Sequence, residues 1–202
     1  MTDLASGVTH FQHDVYPGKA ALFAELATNH TPHTPHTLFI SCSDARVVPE
    51  LITTSEPGEL FVIRTAGNLV PAYASGGDGI AASIEYAVAV LGVSRVVVCG
   101  HSGCGAMTAV AERHDLGALP TIAQWLRHTD ATAARVGAGA ADPVSTLVRA
   151  NVVAQLSNLA THPSVTRALA DGALVAEGWV FDIGTGTVTV VDGADSATTP
   201  AA

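Results

Sequence analysis

The chain has 202 residues, 48% of them apolar, and carries a formal net charge of −9. That is enough apolar mass for one sizeable core, while the single lysine, Lys19, and eight scattered arginines form no basic run, which argues against nucleic-acid binding. Three cysteines at irregular spacing do not make a secreted disulfide framework, so a reducing cytoplasm that leaves thiols free as ligands is the expected location.

In chain order, residues 1–16 carry some helical pattern but no basic segment followed by an apolar one, so no secretory leader is expected. Pro17 and Gly18 introduce a predicted helix with Ala20, Leu22, Phe23 and Leu26 on one face. Residues 29–35 read as a proline-punctuated loop, and 37–41 as a buried strand ending at Cys42. A short helix over 49–53, a turn at Glu56-Pro57-Gly58 and a second strand over 60–64 follow. A glycine-rich loop, 66–79, leads into a helix over 79–91, with Asp78 as its N-cap and Ile80, Ile84, Ala87, Val88 and Leu91 as its core stripe. Residues 80–99 are the longest apolar stretch, but Glu85 and Arg95 interrupt it and no membrane span is expected. A third strand over 96–99 precedes a helix over 103–114. The Ala/Gly-rich region 129–142 has no clear pattern and reads as a flexible connection. Helices over 144–159 and 163–170 follow, then a hairpin over 174–191 turning at Gly184-Thr185-Gly186. Residues 1–192 are thus expected to form a single α/β domain with an N-terminal helical arm, and 193–202 a disordered tail. Strands alternating with helices predict a mostly parallel central sheet flanked by helices, with functional groups at the carboxyl ends of its strands.

Two short units carry the chemistry, and 56 residues separate Asp44 from His101. The first is Cys42-Ser43-Asp44-Ala45-Arg46, in which Arg46 can fork onto Asp44 while Cys42 offers a thiolate. The second is His101-Ser102-Gly103-Cys104, whose glycines allow close backbone approach. Each unit ends an apolar run, so two buried strands would bring two thiolates and an imidazole to one end of a sheet. That donor set suits Zn2+, with the fourth position left to a carboxylate or to a water that the metal can ionise near neutral pH. Cys99, inside the apolar Val96–Cys99 run, reads as a core residue. His30, His33 and His36 repeat every third residue and read as part of a loop. Gly76-Gly77-Asp78-Gly79 lacks the lysine of a phosphate loop and reads as a helix entry.

With these units in place, the chain resembles the β-class carbonic anhydrases. PGELFVIRTAGNLV, SIEYAVAVLGVSRVVVCGHSGCGAM, NVVAQLSNLATHPSV and LVAEGWVFDIGTGTV extend the likeness over residues 17–191. The resemblance implies one Zn2+ per chain and reversible hydration of CO2 to bicarbonate by a zinc-bound hydroxide. Carried over, Cys42, His101 and Cys104 are metal ligands. Asp44 and Arg46 are the catalytic dyad, and Asp44 is also able to ligate the metal. It further implies a homodimer or homotetramer. In one subgroup a Trp, an Arg and a Tyr bind a regulatory bicarbonate; here those positions hold Phe39, Arg64 and Phe181, and phenylalanine cannot donate a hydrogen bond. Another subgroup has a substrate-side glutamine where this chain has His33. Two rival functions remain at this level: hydrolysis of carbonyl sulfide or carbon disulfide on the same scaffold, and a non-catalytic zinc-stabilised binding module, against which the intact Asp44–Arg46 pair argues.

Overall fold

The computed structural model describes residues 3–28, 33–137 and 139–191. It divides into two units, Met1–Thr34 and Pro35–Ala202. In the first, α1 (Leu4–His10), a π-helical turn (Phe11–Val15) and α2 (Tyr16–Thr28) run on as one helical stretch. The helix thus starts before Pro17 rather than at it: Pro17 lies inside the continuous stretch, directly after the π-helical turn and Tyr16. The rings of Phe11, Tyr16 and Phe23 cluster on this unit with centroids 5.4–6.2 Å apart.

The second unit is built on five strands: β1 (Thr37–Cys42), β2 (Leu60–Thr65), β3 (Arg95–His101), β4 (Val175–Phe181) and β5 (Val188–Val191). Their spatial order is β2-β1-β3-β4-β5, with β5 antiparallel and all other neighbours parallel. β1 is buried along its whole length, as a central parallel strand with both faces covered must be. The strands alternate by period two. One face carries Leu38, Ile40, Ile63, Val96 and Val98 into the main core, and the other carries Phe39, Val97, Cys99 and Trp179.

Around the sheet lie α3 (Pro49–Thr53), α4 (Gly79–Glu85), α5 (Gly105–Ala111), α6 (Pro120–Leu126), α7 (Asp130–Val136), α8 (Pro143–Leu159) and α9 (Pro163–Ala170). Asp78 caps α4 as expected, accepting from the Ile80 and Ala81 N–H groups at 2.9 and 2.8 Å. The helix then continues as a π-helical turn over Tyr86–Val90. Helix α8 packs across β3 and β4.

Region 129–142 departs from expectation. It is not simply a connection: a 3-10 turn (Arg127–Thr129) and α7 occupy its first half, with Thr129 and Thr132 buried. Alanine favours helix strongly, and this helix buries small side chains, so no large apolar stripe announces it. Helix α6 falls in a stretch where the sequence pattern marks no element; Pro120 occupies its first turn. The 103–114 helix is shorter than expected at both ends: Gly103 adopts φ +61° in the turn before it, and Arg113 adopts φ +55° just beyond it. Residues 193–202, expected to be a tail, and 29–32, including His30, lie outside the described residues.

Candidate metal centre

The strand order reverses direction at β1. The chain leaves it for β2 on one side and later returns to β3 on the other, so the crevice beyond the carboxyl ends of β1 and β3 is the switch point of the sheet. Cys42 ends β1 and His101 ends β3, and the parallel register that pairs Ser41 with Cys99 brings the two ends together. Cys104 stands at the N-cap of α5, three residues past the end of β3. The sulfurs of Cys42 and Cys104 and a ring nitrogen of His101 all lie within 4.8 Å of one another, and all three residues are buried.

This cluster fits a tetrahedral metal on three counts. The two sulfurs are 4.0 Å apart, and sulfurs held about 2.3 Å from one tetrahedral ion are about 3.8 Å apart. His101 Nδ1 lies 3.0 Å from the Ser102 carbonyl and donates to it, which leaves the opposite nitrogen with a bare lone pair. That Nε2 is buried with no hydrogen-bond partner, a costly arrangement unless something else accepts the lone pair. The sulfurs are also electrostatically frustrated. The hydrogen bond from Cys104 draws the Cys42 thiol down, against the effect of burial and with help from the Asp44 and Gly67 N–H groups. That same hydrogen bond, together with burial, pushes Cys104 upward. A divalent ion between them relieves this, since a coordinating thiol ionises outright.

The backbone around Cys42 is clamped. Gly67 N–H points at Cys42 Sγ, 3.4 Å away. Gly67 has φ +74°, a left-handed conformation that favours glycine, and a Cβ there would also press on the movable end of Met107 at 2.9 Å and on Ala106 Cβ at 3.2 Å. Arg64 donates to the Cys42 carbonyl at 3.1 Å and to the Asp44 carbonyl at 2.6 Å. It therefore braces the segment carrying both a candidate ligand and the Asp44–Arg46 pair, a role that sequence reasoning missed because it depends on the β1–β2 pairing of Ser41 with Arg64. Phe39 is fully buried and packs edge-to-face on Trp179, with ring centroids 5.9 Å apart.

Asp44 and Arg46 form a bidentate pair, Nε to Oδ1 at 2.9 Å and Nη2 to Oδ2 at 2.6 Å. The Arg46 N–H adds a third bond to Oδ1 at 3.0 Å, and Arg46 Nη2 also reaches the Gly103 carbonyl at 3.1 Å, tying the first unit of the motif to the second. Arg46 holds the Asp44 carboxyl well below the usual carboxylate range, chiefly through these side-chain hydrogen bonds. Asp44 Oδ2 lies 3.9 Å from His101 Nε2, so the carboxylate flanks the cluster while both its oxygens are held by Arg46. A groove of about 830 Å³ opens beside it, lined in part by Ser43, Arg64, Ala66, Trp125 and His128.

The remaining sequence candidates fall elsewhere. Cys99 Sγ contacts the Gly100 carbonyl at 3.4 Å, and burial pushes its thiol up to about 12. His33 is exposed in the first unit, and His36 bonds Thr37 Oγ1 at 2.7 Å. No helix of the described residues is long and apolar enough to cross a membrane.

Fold and cluster together define an α/β protein with a candidate three-ligand metal site and an adjoining Asp–Arg pair. Known proteins make the assignment more specific. A family model described as carbonic anhydrase matches residues 37–188. The chain is 53% identical over 198 residues to a carbonic anhydrase of Pseudomonas aeruginosa, covering 96% of this chain and 89% of that protein. It is 48% identical over 206 residues to carbonic anhydrase 1 of Escherichia coli O157:H7, covering 100% of this chain and 93% of the relative. Among solved structures it superposes on the beta-carbonic anhydrase CcaA with a TM-score of 0.88 at 39% identity, with 96% of each chain covered. It also superposes on a structure described as one of two tetrameric beta-carbonic anhydrases from Sordaria macrospora, with a TM-score of 0.80 at 28% identity, covering 93% of this chain and 94% of the other. The chain belongs to the β-carbonic anhydrase family and is a carbonic anhydrase.

Proposed function

We propose that the protein hydrates CO2 reversibly to bicarbonate and a proton at a zinc ion held by Cys42, His101 and Cys104. The observation that carries this reading is the convergence of those three donor atoms with a carboxylate fixed by Arg46, 3.9 Å from the unpartnered His101 nitrogen. Bound there, zinc supplies Lewis acidity sufficient to ionise water near neutral pH. The chain's own groups do the rest. Asp44, kept ionised by Arg46, can only accept hydrogen bonds. An attacking oxygen beside it must therefore turn its hydrogen toward Asp44 and its lone pair toward CO2. Arg46 fixes that acceptor from two directions, and its bond to the Gly103 carbonyl holds the dyad in register with the turn between His101 and Cys104. In this arrangement Asp44 acts as the acceptor, with its oxygens engaged by Arg46 rather than offered as a fourth ligand. The released proton leaves to buffer.

The reading extends to the assembly and the compartment. Likeness to proteins described as tetrameric supports a homodimer or homotetramer, which sedimentation equilibrium would distinguish. Three free thiols suit the cytoplasm. The deciding experiment is stopped-flow CO2 hydration by the zinc-loaded protein from neutral to alkaline pH, with metal content measured on the same sample. Fast hydration that rises with pH is expected. No hydration with one zinc per chain would overturn the proposal and make carbonyl sulfide the next substrate to test.

A further inference from the structure

The turn that aims the Gly67 N–H at Cys42 is itself held from behind by two helices. The N–H of Gly67 and the carbonyl of Ala66 belong to one peptide unit. The carbonyl end accepts from Trp125 Nε1 on α6 at 2.9 Å, while the N–H end faces Cys42 Sγ at 3.4 Å. The next peptide is gripped by α8, whose Asn151 Nδ2 donates to the Gly67 carbonyl at 2.9 Å. Asn151 is held in turn by Gln155, which donates to its Oδ1 at 2.8 Å and accepts the Val70 N–H at 2.8 Å. Asn151 and Gln155 are both fully buried. Burying two neutral amides on a helix that seats against a sheet is unfavourable unless their hydrogen bonds are needed, and apolar residues would pack there at lower cost. Apart from bonds to each other and to Asn158 on the same helix, they reach one segment, the backbone of residues 67–70.

We infer that Trp125 and the Asn151–Gln155 pair are positioning residues for the metal ligand Cys42. They lock the Ala66–Gly67–Asn68 turn so that a backbone N–H stays on the Cys42 thiolate. This rests on the proposed role of Cys42 as a ligand. The hydrogen bonds that Trp125 and Asn151 donate go to peptides and not to the donor atoms, while the Trp125 ring also packs against the apolar cluster that contains Cys42 and Cys104. Two physical effects follow. The fixed N–H confines the sulfur to one position, which preorganises the donor set. The indole bond to the Ala66 carbonyl polarises that peptide and strengthens its N–H as a donor to sulfur.

Two substitutions remove the donors separately. Trp125→Phe keeps an aromatic ring but loses the indole N–H, and Asn151→Ala loses the amide. Asn158→Ala is the control: Asn158 donates to the Val70 carbonyl at 2.9 Å and to Gln155 Oε1 at 3.2 Å, so it borders the amide pair, but it makes no bond to the Ala66–Gly67 peptide. Zinc affinity is measured by chelator competition, and the cobalt-substituted proteins are examined for the thiolate-to-metal charge-transfer band. Outer partners of metal ligands are typically worth about 10–100-fold in affinity. Trp125→Phe and Asn151→Ala are expected to weaken zinc binding by about that factor and to move the cobalt band to longer wavelength, as a thiolate that loses a hydrogen bond becomes more electron-rich. Asn158→Ala should move neither. If Asn151→Ala does not fold, Trp125→Phe carries the same reading. Wild-type affinity and an unmoved band in folded Trp125→Phe would overturn the inference, as would equal changes in Asn158→Ala. The unaltered protein separates the two levels: no cobalt–thiolate band there would overturn the ligand assignment and the inference with it, whereas a normal band unmoved by the variants would overturn the inference alone.

Discussion

One valine seats α8 on the sheet, and its removal can be predicted quantitatively. Gly100 in β3 and Gly178 in β4 leave two gaps that the two methyls of Val152 fill. A Cβ on Gly178 would lie 2.7 Å from Val152 Cγ1, 3.0 Å from Leu156 Cδ1 and 3.2 Å from the Val191 carbonyl oxygen, and a Cβ on Gly100 would lie 2.8 Å from Val152 Cγ2. Gly178→Ala therefore overpacks a dry interface, at a cost of about 1–3 kcal/mol. For a chain of this size each kcal/mol lowers Tm by about 2–4 °C, so a fall of about 2–12 °C is expected. Val152→Ala removes two buried methyls, about 0.8 kcal/mol each before any cavity term, or roughly 2 kcal/mol in all. The two costs should not add. In the double variant the atom struck by the new Cβ is gone, and the destabilisation should fall about 1 kcal/mol or more short of the sum. Recovery stays partial, because Leu156 and the Val191 carbonyl are unchanged. Urea and thermal unfolding of the four proteins, at equal concentration and fixed zinc, give the cycle. A Gly178→Ala protein as stable as the parent, or costs additive to within about 0.5 kcal/mol, would refute the packing argument. The result bears on the metal site because Val152 adjoins Asn151, whose reach to Gly67 depends on where α8 sits.

Other outcomes follow from the site. Cys42→Ser should reduce bound zinc to well below one per chain by metal analysis, whereas Cys99→Ala should leave it at one, since Cys99 lies outside the donor cluster. Asp44→Asn should keep zinc but lose most CO2 hydration, because an amide offers a donor where an obligate acceptor is needed; full stopped-flow activity would remove Asp44 from the mechanism. Burial raises the Cys99 thiol to about 12, so in the folded state it stays protonated where the unfolded thiol ionises. A raised folded-state value means that this stabilisation is complete below the unfolded thiol's pKa, about 8.5, and is lost as pH rises toward about 12. Cys99→Ala should accordingly flatten the alkaline limb of a stability-versus-pH curve, read by urea unfolding at stepped pH.

The chemistry of the site is legible in the sequence where it depends on local order. Thr37–Ser41 and Val96–Cys99 are apolar runs too short for helices, and each ends on a unit rich in candidate metal donors, so the residue order alone places their strand ends and the candidate ligands. Asp78 and the Gly184–Gly186 turn are legible for the same reason, since capping and turn chemistry act within three or four residues. Helix α7 is not, because its buried positions are small residues that form no stripe. Arg64 stands out as a position of interest, but its partners, the carbonyls of Cys42 and Asp44, are backbone atoms about 20 residues away in sequence, carried there by strand pairing.

Residue types and their short-range spacing determined the candidate donor set, the Asp44–Arg46 pairing, the α/β alternation and the family. These rest on covalent neighbours and on hydrophobic periods of two and about 3.6, which are properties of the chain itself. Tertiary structure decided everything that spans a crossover. It closed the 56-residue gap between Asp44 and His101 through the register of β1 and β3. It left one imidazole nitrogen bare and two sulfurs 4.0 Å apart. It also turned Asn151 and Gln155, ordinary polar residues in a helical sequence, into buried clamps on the Cys42 turn. Side-chain hydrogen bonds to a distant backbone leave no periodic trace, and their partners are set only when the sheet and α8 have packed.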